Sequence, residues 1–508
     1  MKIKKVMLII LDGFGLRREK DYNAVTNANT PYLDYLVANY PHDMINASGK
    51  EVGLPVGQFG NSEVGHLNIG AGRVVRQDIS KIDYEIETRA FYTNKIFTDR
   101  LAKLDGNNLH IFGLLSDGGV HAHINHIIAL VDLASNYQQI KKVWLHMFLD
   151  GRDTPPQSAI HFVEKLHKYL QQYPQIQIAT ICGRYYAMDR DKRYDRVELA
   201  YNAITQATGH FVANNDWVEA ITNSYQSGVN DEFIKPLVSA EYSGVKDHDG
   251  IIFANFRSDR AIELTDVFVN SHFSGFVRNK IDLSFFITMT AYSSALENVV
   301  VAYPKENIRK TLGECVSAAK LHQLRIAETE KYPHITYFFN GGRENPFEGE
   351  ERILVDSPRD VATYDLKPEM SLPMVSEKLV EAINSDKYEL IITNFANGDM
   401  VGHSGSYNAS IKAVEAIDIA LSKVVPAMLE HGGEVIVIAD HGNCEQMYDY
   451  ISKQPHTQHT TNLVPFIYVG ESINHVKTGG CLADVAPTIL ALMGLDIPVE
   501  MTGTNLLG

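Results

Sequence analysis

Short apolar runs recur along the chain, and each of them ends abruptly in charged residues or histidines. The run Val435–Ala439 is rich in β-branched residues and stops at Asp440 and His441. Such runs are typical of strands that are buried on both faces of a parallel sheet. Because ligands of open α/β sheets bind beyond the carboxyl ends of the strands, this pattern predicts functional side chains where the runs end.

The first and last parts of the chain repeat this pattern. The run Val6–Leu11 is followed by Asp12 and then by glycine, for which a turn-forming Asp-Gly pair is the alternative interpretation. The run Leu390–Thr393 is followed by Asp399 and His403. A spacing of four residues places this carboxylate and this imidazole on one face of a helix, as in helical metal sites.

Three further candidates are left undecided by the local sequence. His456 and His459 lie in a polar loop before another apolar run, and either of them could be a metal ligand. Ser62 marks a helix start in a glycine-rich loop, where it could be an N-cap or a nucleophile activated by a nearby cation. Lys331 resembles an ordinary surface charge and precedes an aromatic run that predicts a strand.

The candidate ligands form a set of three carboxylates and three imidazoles at one predicted sheet edge, with the serine oxygen beside them. They are Asp12, Asp399, Asp440, His403, His441 and one of the two loop histidines. A set of this size can hold two divalent cations, and without thiolates it favours Mn²⁺ or Zn²⁺ over Ca²⁺ or Mg²⁺. Two such ions support in-line phosphoryl transfer, in which attack by Ser62 would give a phosphoserine.

The middle of the chain, from about residue 78 to residue 303, repeats strand-like runs that end in polar, mostly cationic residues. Such ends converge on one edge of a parallel sheet, and the planar fork of arginine matches carboxylate and phosphate groups. The pattern therefore predicts a pocket for a small polyanion. The residues at these ends are Asp117, His121, His123, Asp150, Arg152, Asp153, Arg184, Arg190, Arg193, Arg257 and Arg260.

The predicted fold class is α/β with two α/β domains, because apolar runs alternate with helical segments in both regions. A chain of 508 residues is also longer than one typical core supports. Since the candidate metal ligands are split between the first and last parts, the middle must be an insertion. We expect residues 1–76 and 310–508 to form one domain, residues 80–303 to form the inserted domain, and residues 77–79 and 304–309 to connect them.

Composition and charge limit which binding partners and which cellular compartment fit the sequence. The formal charge of −16 disfavours nucleic acid and anionic membranes as partners. No apolar run reaches the roughly 20 residues that span a bilayer, and the basic start continues into a strand-like run without a signal-peptide cleavage site. Four cysteines without a CxxC pair fit a reducing cytoplasm and disfavour a zinc–thiolate site.

Long motifs carry these candidates, in the order VMLIILDGFG, GNSEVGHLNIGAGR, DGRDTPP, GRYYAMDRD, NFRSDRA, AETEKYPHITYFFNGG, NGDMVGHSG, IADHGN and HTQHTTNLVPF. Together, over nearly the whole chain, they resemble the cofactor-independent phosphoglycerate mutases of the alkaline phosphatase superfamily. The resemblance implies an alkaline-phosphatase-like metal-binding domain with an inserted substrate-binding domain. It implies that 3-phosphoglycerate and 2-phosphoglycerate are interconverted without bisphosphoglycerate. It also implies that the protein is a monomer and that this small-molecule substrate is its binding partner.

The resemblance also implies roles for the residues of the metal site. It implies two divalent cations, expected to be Mn²⁺, one held by Asp399, His403 and His459 and the other by Asp12, Ser62, Asp440 and His441. It makes Ser62 the residue that is phosphorylated in turnover, with Lys331 helping to neutralise the phosphoryl oxygens. His456 is left outside the ligand set.

The implied substrate ligands all lie in the inserted domain. They are His123, Arg152, Asp153, Arg184, Arg190, Arg257 and Arg260. Arg257 and Arg260 would mainly face the phosphate, Arg184 and Arg190 would face the carboxylate, and Asp153 would exchange protons with the glycerate hydroxyls. Substrate is expected to bind between the domains, which would close about the two connections. The resemblance gives no such role to Asp117, His121, Asp150 and Arg193.

Three other functions fit parts of the sequence. A metal-dependent phosphatase of the same superfamily would let water finish the reaction, but it would not need so many arginines around the leaving alcohol. Phosphopentomutase shares the metal core, but the middle region does not resemble its smaller cap. A non-catalytic metal- or organophosphate-binding protein would not need Ser62 beside a complete ligand set.

Overall fold

The computed structural model describes residues 3–213, 216–305 and 307–508. Its strands are β1 Val6–Leu11, β2 His42–Ile45, β3 Leu109–Leu114, β4 Val143–Leu149, β5 Ile176–Gly183, β6 His210–Val212, β7 Leu237–Ser239, β8 Gly250–Phe253, β9 Phe285–Thr290, β10 Val300–Tyr303, β11 Gln323–Glu328, β12 Glu350–Val355, β13 Leu390–Phe395, β14 Glu434–Ile438, β15 Tyr448–Asp449, β16 Gln454–Pro455 and β17 Val464–Val469.

The α-helices are α1 Ala24–Asn27, α2 Pro31–Asn39, α3 Ser62–Ala71, α4 Asp78–Glu87, α5 Lys95–Leu101, α6 Ile124–Ser135, α7 Ala159–Leu170, α8 Arg184–Ala187, α9 Tyr194–Gln206, α10 Trp217–Gln226, α11 Ile262–Val269, α12 Leu312–Ala318, α13 Leu372–Asn384, α14 Asn397–Gly402, α15 Tyr407–Glu430 and α16 Val485–Met493. A π-helical turn spans His334–Phe338. Among the helices that the structure describes, none is both long and apolar enough to cross a membrane.

The chain separates into two compact units. Unit 1 comprises Met1–Gln77 and Asn307–Gly508, and unit 2 comprises Asp78–Glu306. Each unit contains one large sheet with helices packed against it. The prediction of two α/β domains is therefore confirmed.

Unit 1 is built on a seven-stranded sheet with the strand order β12-β11-β13-β1-β14-β17-β2. The five strands from β12 to β14 are parallel, whereas β17 is antiparallel to β14 and β2 is antiparallel to β17. The carboxyl ends of β13, β1 and β14 therefore lie side by side. Because β17 runs in the opposite direction, the segment that leads into it starts at the same edge.

Strand β1 is an uninterrupted apolar run because it is buried on both faces. Every residue of β1 is 0% exposed, so the strand needs apolar side chains on both of its faces. The helices α13, α15 and α16 pack against β11, β14 and β1, respectively. Each fully buried Val, Leu or Ile side chain stabilises such a core by about 1.5–3 kcal/mol.

Unit 2 is built on an eight-stranded sheet with the strand order β10-β9-β8-β3-β4-β5-β7-β6. The six strands from β10 to β5 are parallel. The segments that carry the candidate arginines and acids follow β8, β3, β4 and β5, which are neighbours in the sheet. Their carboxyl ends therefore share one edge, as the sequence pattern predicts.

A chain of buried polar side chains crosses the core of unit 2. His110 on β3 lies 3.1 Å from Asp249 Oδ2 through its Nε2 and 3.0 Å from His146 Nε2 on β4 through its Nδ1. His146 Nδ1 lies 2.9 Å from Thr180 Oγ1 on β5. A slip of one residue between these strands would leave buried polar groups unpaired, so the chain favours a single register.

We expect the two histidines of this hydrogen-bonded row to make unit 2 less stable in acid. Burial lowers the pKa of His110 and of His146, so the unfolded state takes up protons at a higher pH than the folded state does. The free energy of unfolding should therefore fall as the pH drops below about 6.5, by up to roughly 1.4 kcal/mol per pH unit for each of the two histidines. His146→Gln should reduce the dependence of this free energy on pH by the contribution of one histidine.

Tryptophan fluorescence during urea unfolding measures this effect. Both tryptophans of the chain, Trp144 and Trp217, belong to unit 2, so their fluorescence reports on that unit alone. The control is His161→Gln, which changes an exposed histidine of α7 in the same unit. Equal slopes in wild type and His146→Gln would contradict the prediction.

Candidate active site and metal centre

Three carboxylates of unit 1 meet at the carboxyl edge of its sheet. Asp12 follows β1 directly, Asp440 follows β14 after one residue, and Asp399 lies in the first turn of α14, which follows β13. All three side chains are buried. Buried carboxylates so close together are costly unless cations pair with them.

Ser62 lies among these carboxylates at the start of α3. Asn61 caps this helix, because its side chain accepts a hydrogen bond from the N–H of Val64 at 2.9 Å, so the hydroxyl of Ser62 is not the cap. Ser62 Oγ lies 3.2 Å from Asp12 Oδ1 and 2.9 Å from His441 Nε2. The positive end of the helix dipole favours negative charge on this oxygen or on a phosphate bound to it.

Lys331 supplies positive charge at the centre of this cluster. Its ammonium donates to Asp12 Oδ1 at 2.8 Å, to Asp399 Oδ2 at 2.6 Å and to Ser62 Oγ at 2.8 Å. Burial alone would lower the pKa of Lys331, but the surrounding carboxylates outweigh it and raise this pKa above its ordinary value. In the metal-free protein Lys331 is therefore a buried, positively charged partner of Ser62, and its interpretation as a surface charge is wrong.

The segment after Lys331 also differs from expectation. The aromatic run predicted to be a strand forms the π-helical turn His334–Phe338. Ile335 and Phe339 are four residues apart and both fully buried, so the apolar positions follow helical spacing. Short apolar runs do not distinguish a buried strand from a buried helical turn, and π-helical turns are frequent at functional sites.

Asp399, His403 and His459 form the first cluster that could hold a metal ion. His403 Nδ1 lies 2.7 Å from the carbonyl oxygen of Thr457, and His459 Nδ1 lies 2.9 Å from that of Gly60. Since a carbonyl oxygen only accepts, both Nδ1 atoms must donate, and in the neutral rings both Nε2 atoms carry lone pairs.

These two lone pairs face each other. The two Nε2 atoms are 3.1 Å apart, and they lie 3.1 Å (His403) and 3.0 Å (His459) from Asp399 Oδ1. Three electron-rich atoms in such an arrangement repel one another unless they share a proton or a metal ion. The cluster therefore fits a metal ion. The local sequence left either His456 or His459 as a possible ligand. The cluster contains His459 and does not contain His456.

The second group of potential ligands surrounds Ser62. His441 Nε2 lies 3.4 Å from Asp12 Oδ1 and 3.6 Å from Asp440 Oδ2. Asp440 Oδ2 is buried, and His66 Nδ1 lies 3.2 Å from it, but that N–H is donated to the carbonyl oxygen of Ser62, so Asp440 Oδ2 accepts no hydrogen bond within the described residues. A buried carboxylate oxygen without a donor is rare and suits a cation, so this group also fits a metal ion.

The carboxylates control the protonation of the histidines when no metal is bound. Burial alone would lower the pKa of His441, but Asp440, Asp12 and Asp399 raise it to about 9. The hydrogen bond to Asp399 raises the pKa of His403 in the same way. The metal-free protein therefore holds protons on imidazole nitrogens that a metal ion would need.

Three side chains that orient the ligands were not predicted from the sequence. His66 Nδ1 donates to the carbonyl oxygen of Ser62 at 2.8 Å, and its Nε2 accepts from Asn394 Nδ2 at 3.0 Å. Asn394 also donates to Asp12 Oδ2 at 2.7 Å, and Asn443 donates to Asp399 Oδ1 at 3.1 Å. The i, i+4 spacing of His66 from Ser62 was a signal that could have identified the histidine.

In unit 2, Arg184 is fully buried and pairs with two carboxylates. Its Nη1 donates to Asp150 Oδ1 at 2.8 Å and to Asp153 Oδ2 at 2.5 Å. Asp150 also accepts from Ser116 Oγ at 2.7 Å and from the N–H of Asp153 at 2.9 Å. Asp150 therefore holds both Arg184 and the loop that carries Asp153.

Asp259 lies beside two candidate arginines and a candidate histidine of unit 2, and it was not predicted. Its carboxylate lies 3.1 Å from Arg190 Nη1, 3.0 Å from Arg257 Nε and 3.5 Å from His121 Nδ1. Burial, together with the nearby guanidinium groups, lowers the pKa of His121 to about 4, so this ring is neutral at pH 7. The position of Asp259 within NFRSDRA, before a second candidate arginine, was a signal that could have identified it.

The remaining candidates of unit 2 have looser contacts. Arg152 Nη1 lies 3.4 Å from Glu232 Oε1, and Arg260 Nη1 donates to the carbonyl oxygen of Met188 at 3.1 Å. His123 caps α6 with its side chain. Among the residues without an implied role, Asp117 is exposed and Arg193 forms a surface pair with its neighbour two residues on.

Comparisons with known proteins agree with these features over the full length of the chain. A family model described as the metalloenzyme superfamily matches residues 4–497. A 2,3-bisphosphoglycerate-independent phosphoglycerate mutase from Laribacter hongkongensis is 52% identical over 504 residues, which are 99% of each chain. A protein of the same name from Clostridium botulinum is 50% identical over 513 residues, and the match covers 100% of both chains.

A solved structure shows the same likeness. The crystal structure of Leishmania mexicana phosphoglycerate mutase at low cobalt concentration is 31% identical to this chain, with a TM-score of 0.55. The match covers 100% of this chain and 98% of that one. The resemblance noted in the sequence motifs is thereby confirmed. This chain belongs to the metalloenzyme superfamily and, within it, to the 2,3-bisphosphoglycerate-independent phosphoglycerate mutases, which are isomerases.

Proposed function

We propose that this chain interconverts 3-phosphoglycerate and 2-phosphoglycerate through a phosphoserine at Ser62, without bisphosphoglycerate. The position of the Ser62 hydroxyl carries this proposal. Its oxygen lies 2.8 Å from Lys331 Nζ and 2.9 Å from His441 Nε2, at the start of a helix. Such surroundings favour the ionised, nucleophilic form of a serine. The names of the full-length relatives support the substrate pair.

We infer that two divalent cations, both Mn²⁺, complete the centre. Carboxylate and imidazole ligands without thiolates support this choice of ion. When bound, the cations lower the cost of an ionised Ser62 oxygen and offset charge on the phosphoryl group. One ion would be held by Asp399, His403 and His459, and the other by Asp12, Ser62, Asp440 and His441.

The proposed reaction has two halves. In the first, the ionised Oγ of Ser62 forms a bond to phosphorus, the bond between phosphorus and O3 of 3-phosphoglycerate breaks, and O3 takes up a proton from Asp153. In the second, O2 of the retained glycerate loses a proton and attacks the phosphoserine, which restores Ser62 and gives 2-phosphoglycerate. Lys331 stays within hydrogen-bonding distance of Oγ and stabilises the negative charge that develops there.

The residues of unit 2 would hold the substrate and handle its protons. Arg257 and Arg260 would bind the phosphate and Arg184 and Arg190 the carboxylate. His123 and Arg152 would make further contacts with the substrate. Asp153 would give a proton to O3 and take one from O2. Its short hydrogen bond to Arg184 supports this role, because it fixes the carboxylate in one orientation.

A phosphatase would share the first half of this reaction and then use water. Retention of glycerate requires that water be kept away from the phosphoserine. The many arginines of unit 2 favour retention of glycerate, since a hydrolase does not need to hold the alcohol that leaves. The ratio of 2-phosphoglycerate to inorganic phosphate separates the two functions, and a reaction on sugar phosphates alone would indicate a phosphopentomutase.

We also propose that the protein is a cytoplasmic monomer. All four of its cysteines, Cys182, Cys315, Cys444 and Cys481, are free thiols. Thiols that remain unpaired are typical of a reducing compartment. The monomeric state rests on the resemblance to the family.

Ser62→Ala should abolish mutase turnover. Loss of a nucleophile costs at least about 10³-fold in kcat, and no other hydroxyl among the site contacts described above could replace it. An enolase-coupled assay measures the activity, and metal analysis should show that the cations remain. The control is Ser410→Ala, which removes a buried serine hydroxyl of α15. Substantial activity of Ser62→Ala would exclude Ser62 as the nucleophile.

Arg190→Met should raise the KM for 3-phosphoglycerate by about 10-fold or more. This is the expected effect of losing one hydrogen-bonded charge contact to the substrate. Arg193→Met is a matched control, because Arg193 is three residues away and pairs on the surface with Asp195. An equal KM effect in both variants would contradict the role proposed for Arg190.

Metal binding should release protons. His441 has a pKa of about 9 and His403 a raised pKa in the metal-free protein, so His441 is largely protonated at pH 8 and both are at pH 6. Since a metal needs neutral imidazoles, Mn²⁺ should displace about one proton per protein at pH 8, and its affinity should fall as the pH is lowered. A pH-indicator dye measures this release. Binding of Mn²⁺ without proton release would contradict the prediction.

A further inference from the structure

Glu445 is a buried carboxylate that no step of the proposed reaction uses. It is 0% exposed and follows the Asp440–Asn443 segment. Its Oε2 accepts from the backbone N–H of Gly15 at 3.0 Å and from that of Asn443 at 2.8 Å. Its Oε1 accepts from the hydroxyl of Thr460 and from Asn462 Nδ2 at 2.8 Å.

These four donors belong to the three segments that carry most of the candidate metal ligands. Gly15 lies three residues after Asp12, and Asn443 lies two residues after His441. Thr460 directly follows His459. A single carboxylate thus links the segment after β1, the segment after β14 and the loop before β17.

Two glycines leave the space that this carboxylate occupies. A Cβ added to Gly15 would lie 2.4 Å from Glu445 Cδ, and one added to Gly442 would lie 2.4 Å from Glu445 Oε1. Real Cβ atoms do not approach other atoms so closely. The backbone of both loops therefore packs directly against the carboxylate, which explains glycine at both positions.

All four donors are neutral, so the carboxylate is held by hydrogen bonds and not by an ion pair. Hydrogen bonds to a charged acceptor are roughly twice as strong as those between neutral groups. Four of them converging on one side chain hold the three loops more firmly than separate neutral contacts would. Residues that orient the ligands of a metal site typically contribute about 10–100-fold to metal affinity.

We propose that Glu445 is a positioning residue of the metal centre, which holds the His459 loop in register with the loops that carry Asp12 and His441. The inference rests on the proposed function, because it assumes that Asp399, His403 and His459 hold a cation. It goes further in assigning the preorganisation of that site to one carboxylate that touches neither the cation nor the substrate.

Glu445→Gln tests the proposal, because the two carboxylate oxygens have different partners. The backbone N–H groups of Gly15 and Asn443 can only donate, so the remaining amide oxygen should stay with them. The new NH₂ group would then face the side chains of Thr460 and Asn462, which would have to change from donors into acceptors, and the charge that strengthens these hydrogen bonds would be lost. The variant should therefore loosen the His459 loop while the other two loops stay linked.

Mn²⁺ titration of the full-length protein in competition with a fluorescent chelator measures the outcome. For Glu445→Gln we expect one of two ions to bind about 10–100-fold more weakly and the other to bind nearly as in wild type. Excess Mn²⁺ should restore kcat, and the KM for 3-phosphoglycerate should stay within about 2-fold of wild type. A purely structural role would lower thermal stability without weakening one ion selectively.

Asp484→Asn is the matched control. Asp484 is a buried carboxylate of unit 1 that accepts from the N–H groups of Cys481 and Thr504 at 2.8 and 2.6 Å, and neither segment carries a candidate ligand. It should lower thermal stability without changing Mn²⁺ affinity. If Glu445→Gln bound both ions as tightly as wild type, or if both variants lost affinity equally, the proposal would be overturned.

A second variant decides the case if Glu445→Gln does not fold. Thr460→Val keeps the size of the side chain and the carboxylate but removes one of the four donors, so it should weaken the same ion by a few-fold. Unchanged affinity in Thr460→Val would overturn the proposal. Failure of the proposed function is distinguishable, because it would appear as absent mutase activity in wild type, whatever the variants bind.

Discussion

The structure of unit 1 depends on bringing buried carboxylates together and compensating their charge. Asp12, Asp399 and Asp440 come from three neighbouring parallel strands, and none of them is accessible to bulk water. Like charges at this distance in a medium of low polarity repel strongly. Their proximity is tolerable because Lys331 donates to two of them and because histidines complete the cluster. The same surplus of negative charge makes the cluster attractive to divalent cations.

The sheet topology makes this arrangement possible. Parallel neighbours deliver their carboxyl ends to one edge, and the reversal of β17 brings His459 to that edge from the other direction. The ligands can therefore come from the first 62 residues and the last 110 or so and still meet at one edge of the sheet. In unit 2 the same principle gathers arginines, and the carboxylates of Asp150 and Asp259 pair with them. Groups held in this way lose less entropy when they bind.

The sequence predicts the frame and the chemical groups of the site better than it predicts the supporting contacts. The strand ends at Asp12, Asp440 and Arg184 follow from uninterrupted apolar runs, which are typical of strands buried on both faces. The positions of Asn394, Asn443, Glu445 and Asp259 do not follow, because a polar residue that orients a ligand has the same local pattern as one on the surface. The aromatic run after Lys331 was predicted wrongly, because a short apolar run fits both a strand and a helical turn.

We propose that Ser62 carries the phosphoryl group between the two positions of glycerate. The decisive measurement is mass spectrometry of the peptide that contains Ser62, after rapid acid quenching of Mn²⁺-loaded protein mixed with 3-phosphoglycerate. We expect a phosphoryl group on Ser62 that appears before 2-phosphoglycerate and disappears when substrate is exhausted. Formation of 2-phosphoglycerate with Ser62 unmodified throughout, or with phosphate on another residue, would contradict it.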